Sequence, residues 1–141
     1  MENFQKNHKL NVPQYLSLTM IILGFVTGLF DHAFIIWTRG FLVTRPEMPI
    51  IFNLFWDSLF IADLLAIILL LKNINTGLTF ASAIMVADVI VNSIAAGIDY
   101  YLQREFVMRG LYTQIPFMVF VLYFKRSLKK NPAGKSEKDL S

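Results

Sequence analysis

The 141-residue chain has no cysteine, which excludes disulfides, thiolate metal sites, iron–sulfur clusters and cysteine catalysis. Charge is scarce where a soluble helix would need it. Ile61–Leu71 carries one charged side chain, Asp63, whereas a soluble helical bundle requires a polar outer face on each helix. No phosphate-binding loop or nucleophile elbow occurs, so those enzyme classes gain no support. Lys6 and Lys9 precede the first apolar run, but that run is too long for a signal peptide and no small-x-small cleavage pattern follows it. The basic C-terminal cluster lacks interleaved aromatics and adjoins an apolar run, which argues against nucleic acid as a partner.

What is present is apolar and grouped. The hydrophobic fraction is 55% and mean hydropathy is +0.53, against roughly 45–50% apolar residues in soluble domains. Four runs, at 15–37, 50–71, 78–101 and 110–124, are separated by short segments rich in Arg, Lys, Pro and Asn. A bilayer core about 30 Å thick is crossed by about 20 helical residues. Three runs meet that length, and the fourth does so with Tyr123, Phe124 and the stem of Lys125 as an interfacial border. The expected fold is therefore an all-α integral membrane bundle of four transmembrane helices.

Charge placement gives an orientation. Lys6, Lys9, Lys72, Lys125, Arg126, Lys129, Lys130, Lys135 and Lys138 fall on one side of such a bundle, and Arg39, Arg45, Arg104 and Arg109 on the other. Cytoplasmic segments carry the excess of Lys and Arg, so both termini are expected to be cytoplasmic. The basic tail could also attract anionic headgroups. The expected organisation is a polar segment 1–12, a membrane domain 13–128 and a basic, disordered tail 129–141. Pro13 suits a first helical turn. Asn73-Ile74-Asn75-Thr76-Gly77 has the composition of a tight turn, Gln103–Arg109 should form a second outer loop, and Pro116 should bend the last helix.

Acidic residues sit inside three of the runs, where an ionisable group is costly and usually faces a cavity, a partner or a pathway. Gly24, Gly28, Asp31 and His32 share one face of the first helix, and Asp88, Asn92 and Asp99 form a stripe on the third. On the second helix Asn53 and Asp57 align, while Asp63 points elsewhere and borders the small residues Ser58, Ala62 and Ala66. At about 1.5 Å per residue, Asp31 and His32 lie roughly 8–9 Å below the outer surface, Asp57 about 10 Å and Asn92 about 13 Å. Asp63 and Asp88 lie deeper, at about 16–20 Å. The expected site is a pocket toward the outer leaflet formed by Asp31, His32, Asp57 and Asn92, with Trp56 as an apolar wall and Asp63 and Asp88 beneath. Arg39, Arg45, Arg104 and Arg109 would ring its mouth, and Asp99 would pair with Arg104 or Arg109.

Three functions fit this pattern. The pocket could bind an amphiphilic or cationic small molecule or a lipid or sterol-like ligand, and an isomerase or hydrolase could use the same acid–base set. Alternatively, Asp31, His32 and Asp57 could ligate a divalent metal, with Asp63 and Asp88 continuing a proton path. No His-x₃-His or Glu-x-x-His spacing marks such a site, and a four-helix monomer would need to assemble into a homo-oligomer to form a channel. Thirdly, the buried polar groups could specify helix pairing in an accessory or assembly subunit. The bilayer is the partner common to all three. No cofactor is indicated by the residues.

The second helix carries Pro49-x-x-Phe52, then Phe55-Trp56-Asp57-Ser58-Leu59-Phe60, and ends Leu71-Lys72, while the last carries Ile115-Pro116-Phe117. These features resemble the EXPERA group, the emopamil-binding and sigma-2-receptor-like four-helix membrane proteins. The resemblance implies an acid-lined pocket opening sideways to lipid, with Asp57 as the second-helix acid. The chain departs from the group in lacking a long first loop and in placing a histidine beside its first-helix acid.

Overall fold

The computed structural model describes residues 10–102 and 109–130, and all of its regular structure is helical. Four helices follow one another: α1 (Val12–Arg39), α2 (Ile50–Lys72), α3 (Ile74–Tyr101) and α4 (Arg109–Lys130). Helices α1, α2 and α3 are each long and apolar enough to cross a membrane. Helix α4 extends past Phe124 into the basic segment, so its charged last turns dilute its apolar stretch.

The helix starts and stops follow from local chemistry. Asn11 caps α1 by accepting the Gln14 N–H at 3.0 Å, and the Gln14 side chain accepts the Asn11 N–H at 2.9 Å. This reciprocal box satisfies two amides that have no helical partner. Between α2 and α3 a single residue, Asn73, leaves the helical conformation. Its side chain accepts the Thr76 N–H at 3.1 Å and so starts α3 at once. The expected five-residue turn is thus reduced to one residue, with Asn75, Thr76 and Gly77 already helical. Glycine is required at position 77, because a Cβ there would run into the backbone of Leu69 and Leu70. Pro116 lies inside α4, where it cannot donate to the carbonyl four residues earlier.

Neighbouring helices pack in sequence order, α1 on α2, α2 on α3 and α3 on α4, and the bundle closes through a much thinner α1–α4 seam. At that seam Phe117 lies edge-on to Phe25, with ring centroids 5.9 Å apart, and its ring occupies the space left by the missing side chain of Gly24. The core divides in two along the bundle axis. Toward the Asn73 end, Ile21, Phe25, Ala66, Leu70, Leu78, Ala81, Met85, Val121 and Phe124 form one apolar cluster. Toward the 40–49 end a smaller cluster contains Met48, Trp56, Leu59 and Ala95, and most of the buried polar side chains join it there.

Candidate functional site

The segment joining α1 to α2, residues 40–49, is short but internally fixed. Gly40 has φ +94°, and Leu42 has φ +64°, a left-handed conformation that a non-glycine residue adopts only when its surroundings enforce it. The enforcing group is Asp57. One carboxylate oxygen accepts the Leu42 N–H and the other accepts the Thr44 hydroxyl at 2.7 Å. Asn53, one helical turn away, accepts the Arg45 N–H at 2.7 Å and donates to the Arg45 carbonyl at 3.0 Å. Arg39 at the end of α1 donates to the Thr44 carbonyl at 2.9 Å. The alignment of Asn53 and Asp57 on α2 therefore serves the backbone of this segment, whose buried polar groups need partners.

Arg45 extends this arrangement to α3. It donates to Glu47 at 2.7 Å and to Asp99 at 2.9 Å, and its guanidinium lies over the Trp56 ring, 5.9 Å from the centroid. Burial disfavours the Arg45 charge, but Glu47 and Asp99 outweigh it and hold the pKa above the usual arginine value. Asp99 is 1% exposed, and its Oδ1 accepts no hydrogen bond among the described residues. Asp99 thus meets an arginine 54 residues away, while its expected pairing with Arg104 or Arg109 falls on side chains outside those described. Arg104 lies outside the described residues.

Below this layer Asn92 links three helices. Its Oδ1 accepts the Trp56 indole N–H at 2.9 Å, and its Nδ2 donates to Asp88 at 2.7 Å and to Gln114 at 3.1 Å. Both amide protons and one oxygen lone pair are thereby engaged, which fixes the orientation of the side chain.

A cleft of two contiguous lobes runs beside this network. The upper lobe, about 480 Å³, is lined by Arg39, Arg45, Trp56, Asn92, Asp99 and their neighbours. The lower lobe, about 420 Å³, is lined from all four helices, including Gly28, Asp31, His32, Asp63, Asp88 and Phe117. His32, Asp88, Gly110 and Gln114 line both lobes. His32 Nε2 and Asp63 Oδ2 face each other at 4.0 Å, too far for a hydrogen bond. A Cβ on Gly28 would meet Asp63 Oδ2 at 2.7 Å, so this glycine makes room for the carboxylate.

Of the residues singled out in the sequence, the cleft gathers His32, Asp63, Asp88, Asn92 and Trp56, with the exposed Asp31 at its edge. It does not gather Asp57, whose carboxylate is turned to the 40–49 segment and is absent from the lining of both lobes. Asp31 and Asp57, expected in one pocket, do not line a lobe together. Arg39 and Arg45 line the upper lobe as expected of mouth residues. The weak metal candidates Asp31, His32 and Asp57 are not assembled, and among the described residues no group of three or more His, Asp or Glu side chains is placed to hold a metal ion. Sequence reasoning missed Gln114, whose signal was a lone amide near the start of the last apolar run. It also missed Thr44, for which a loop sequence offers no signal.

Comparison with protein-family models, characterised proteins and solved structures finds no match to this chain. The resemblance to the EXPERA group therefore rests on the residues quoted for it. The position that matched the group's second-helix acid, Asp57, is engaged with the 40–49 segment.

Proposed function

We propose that this chain is a multi-pass membrane protein with both termini cytoplasmic, and that its cleft binds an amphiphilic small molecule or lipid through the outer half of the bilayer. In this reading α4 is the fourth span and the α1–α4 seam is the side entrance. The single observation that carries the proposal is the two-lobed cleft. It is lined by carboxylates, amides and a histidine from helices of membrane-spanning length. Intramembrane ionisable groups are retained where they serve a function, and each lobe falls within the roughly 300–1,000 Å³ of ligand pockets.

Binding is favoured over proton or metal translocation by where the polar groups end. Toward the Asn73 end the buried cluster is apolar, and the buried polar residue there, Ser82, donates to the Leu78 carbonyl of its own helix at 2.6 Å. No polar route continues past Asp63 and Asp88 among the described residues.

Native mass spectrometry of the protein released from lipid nanodiscs tests the reading. A co-released small molecule or lipid, retained by the wild type and lost in Ala96→Trp, which fills the upper lobe, is the expected result. Identical adduct patterns in both proteins would contradict it.

A further inference from the structure

In the lower lobe a largely buried carboxylate has no hydrogen-bond partner among the described residues, as Asp99 Oδ1 has none in the upper lobe. Asp63 is 6% exposed and lines the lower lobe. It makes no hydrogen bond within the described chain, and its nearest basic group is His32 at 4.0 Å. A buried carboxylate without hydrogen bonds is among the costliest arrangements in a protein interior. The same lobe contains Asp88, whose Oδ1 accepts a hydrogen bond from the Asn92 amide while Oδ2 accepts none among the described residues. No lysine or arginine lines the lobe.

Hydrogen-bond accounting narrows the occupant. Asn92 has both protons committed to Asp88 and Gln114, and the Thr113 hydroxyl donates to the Gly110 carbonyl at 2.9 Å. The lobe thus presents both oxygens of Asp63, one of Asp88 and, at its edge, the exposed carboxylate of Asp31. Its remaining polar groups are the Gln114 amide, His32 and the hydroxyl oxygens of Thr27 and Thr113. An occupant that matches it brings N–H donors and positive charge. A quaternary ammonium brings the charge without donors, and an aromatic cage suited to it would need several ring faces, whereas Phe25 and Phe117 are the aromatics in this lining.

Resting on the ligand-binding reading above, we infer that the lower lobe is a site for a primary or secondary ammonium group. The Asp63 carboxylate is its principal acceptor and Asp88 its second, and the ligand's apolar chain leaves through the α1–α4 seam beside Phe117. Gly28 and Gly24 suit this arrangement, since one leaves space for the Asp63 carboxylate and the other for the Phe117 ring. Asp57, outside the lining, has no part in it.

The test is equilibrium binding of three tritiated probes to the full chain in phosphatidylcholine nanodiscs, with empty nanodiscs subtracted. The probes are dodecylamine, dodecyltrimethylammonium and dodecanol. The expected result is saturable binding of dodecylamine, about tenfold or more tighter than the other two. Asp63→Asn should abolish that preference, while Asp63→Glu and Asp57→Asn should retain it. Equal saturable binding of all three probes by the wild type would overturn the ammonium assignment and leave the cleft reading standing. Binding of dodecyltrimethylammonium as tightly as dodecylamine would overturn the requirement for N–H donors. No saturable binding of any probe would overturn both readings. The wild-type ranking decides the matter even if Asp63→Asn fails to fold.

Discussion

The two ends of this bundle use the same four helices in opposite ways. Toward Asn73 the helices touch through small and apolar side chains, Ala66 and Ala81 beside Leu70, Leu78 and Val121, and α2 and α3 approach closely enough that Gly77 lies against the Leu70 backbone. Toward residues 40–49 they are held apart by side-chain networks, Arg45–Asp99 and Asn92 with Trp56, Asp88 and Gln114, and the cleft occupies the space between. Close apolar packing gives helix association without relying on water exclusion. Polar networks give orientation and leave unsatisfied groups beside the cleft. In the proposed reading one end is the frame and the other the binding site, so changes at the two ends should separate stability from binding.

The largest effect should come from breaking the close approach. Gly77→Val forces a branched side chain into the Leu70 backbone and should cost about 3 kcal/mol or more, read as a lower midpoint in denaturant titration followed by helicity. Asn92→Leu should cost about 2–3 kcal/mol, because it strands the Trp56 N–H and removes the donor to Asp88. A cycle with Trp56→Phe should return a coupling of about 1 kcal/mol. Next in size, Asp57→Asn should cost about 1–2 kcal/mol. Its amide exchange should rise within Leu42–Arg45 and stay unchanged across 74–90, and a rise spread evenly over the chain would contradict the local role given to Asp57.

The same contrast explains what could be read from the sequence. Helix number and approximate limits follow from run length and polarity, which are local properties, and the three longest runs became helices of membrane-spanning length. The Asn73 turn was shorter than expected because Asn73 both ends one helix and caps the next. Helical spacing placed Asp88 and Asn92 on one stripe, and they do meet at 2.7 Å. Depth arithmetic put Asp31 and Asp57 at one level without fixing their rotation about the helix axes. The rotation depends on the 40–49 segment, whose left-handed Leu42 turns its amide to Asp57. Arg45–Asp99 was illegible for a related reason, since a loop arginine's reach is set by the fold of the loop. The N-terminal residues 1–9, the Gln103–Arg109 loop up to residue 108 and the tail from 131 lie outside the described residues.

A matched pair of substitutions tests the division directly. Ala81 and Ala95 are both buried on α3, at 0% and 2% exposure, but Ala81 belongs to the apolar cluster and Ala95 lines the upper lobe. Because the chain contains no cysteine, Ala81→Cys and Ala95→Cys each introduce a single thiol. The account predicts that a small, polar thiol reagent modifies the protein with Ala95→Cys while the one with Ala81→Cys stays unmodified over the same period. Equal modification of the two, or none at Ala95→Cys, would contradict a cleft that is open beside Ala95 and stops short of Ala81.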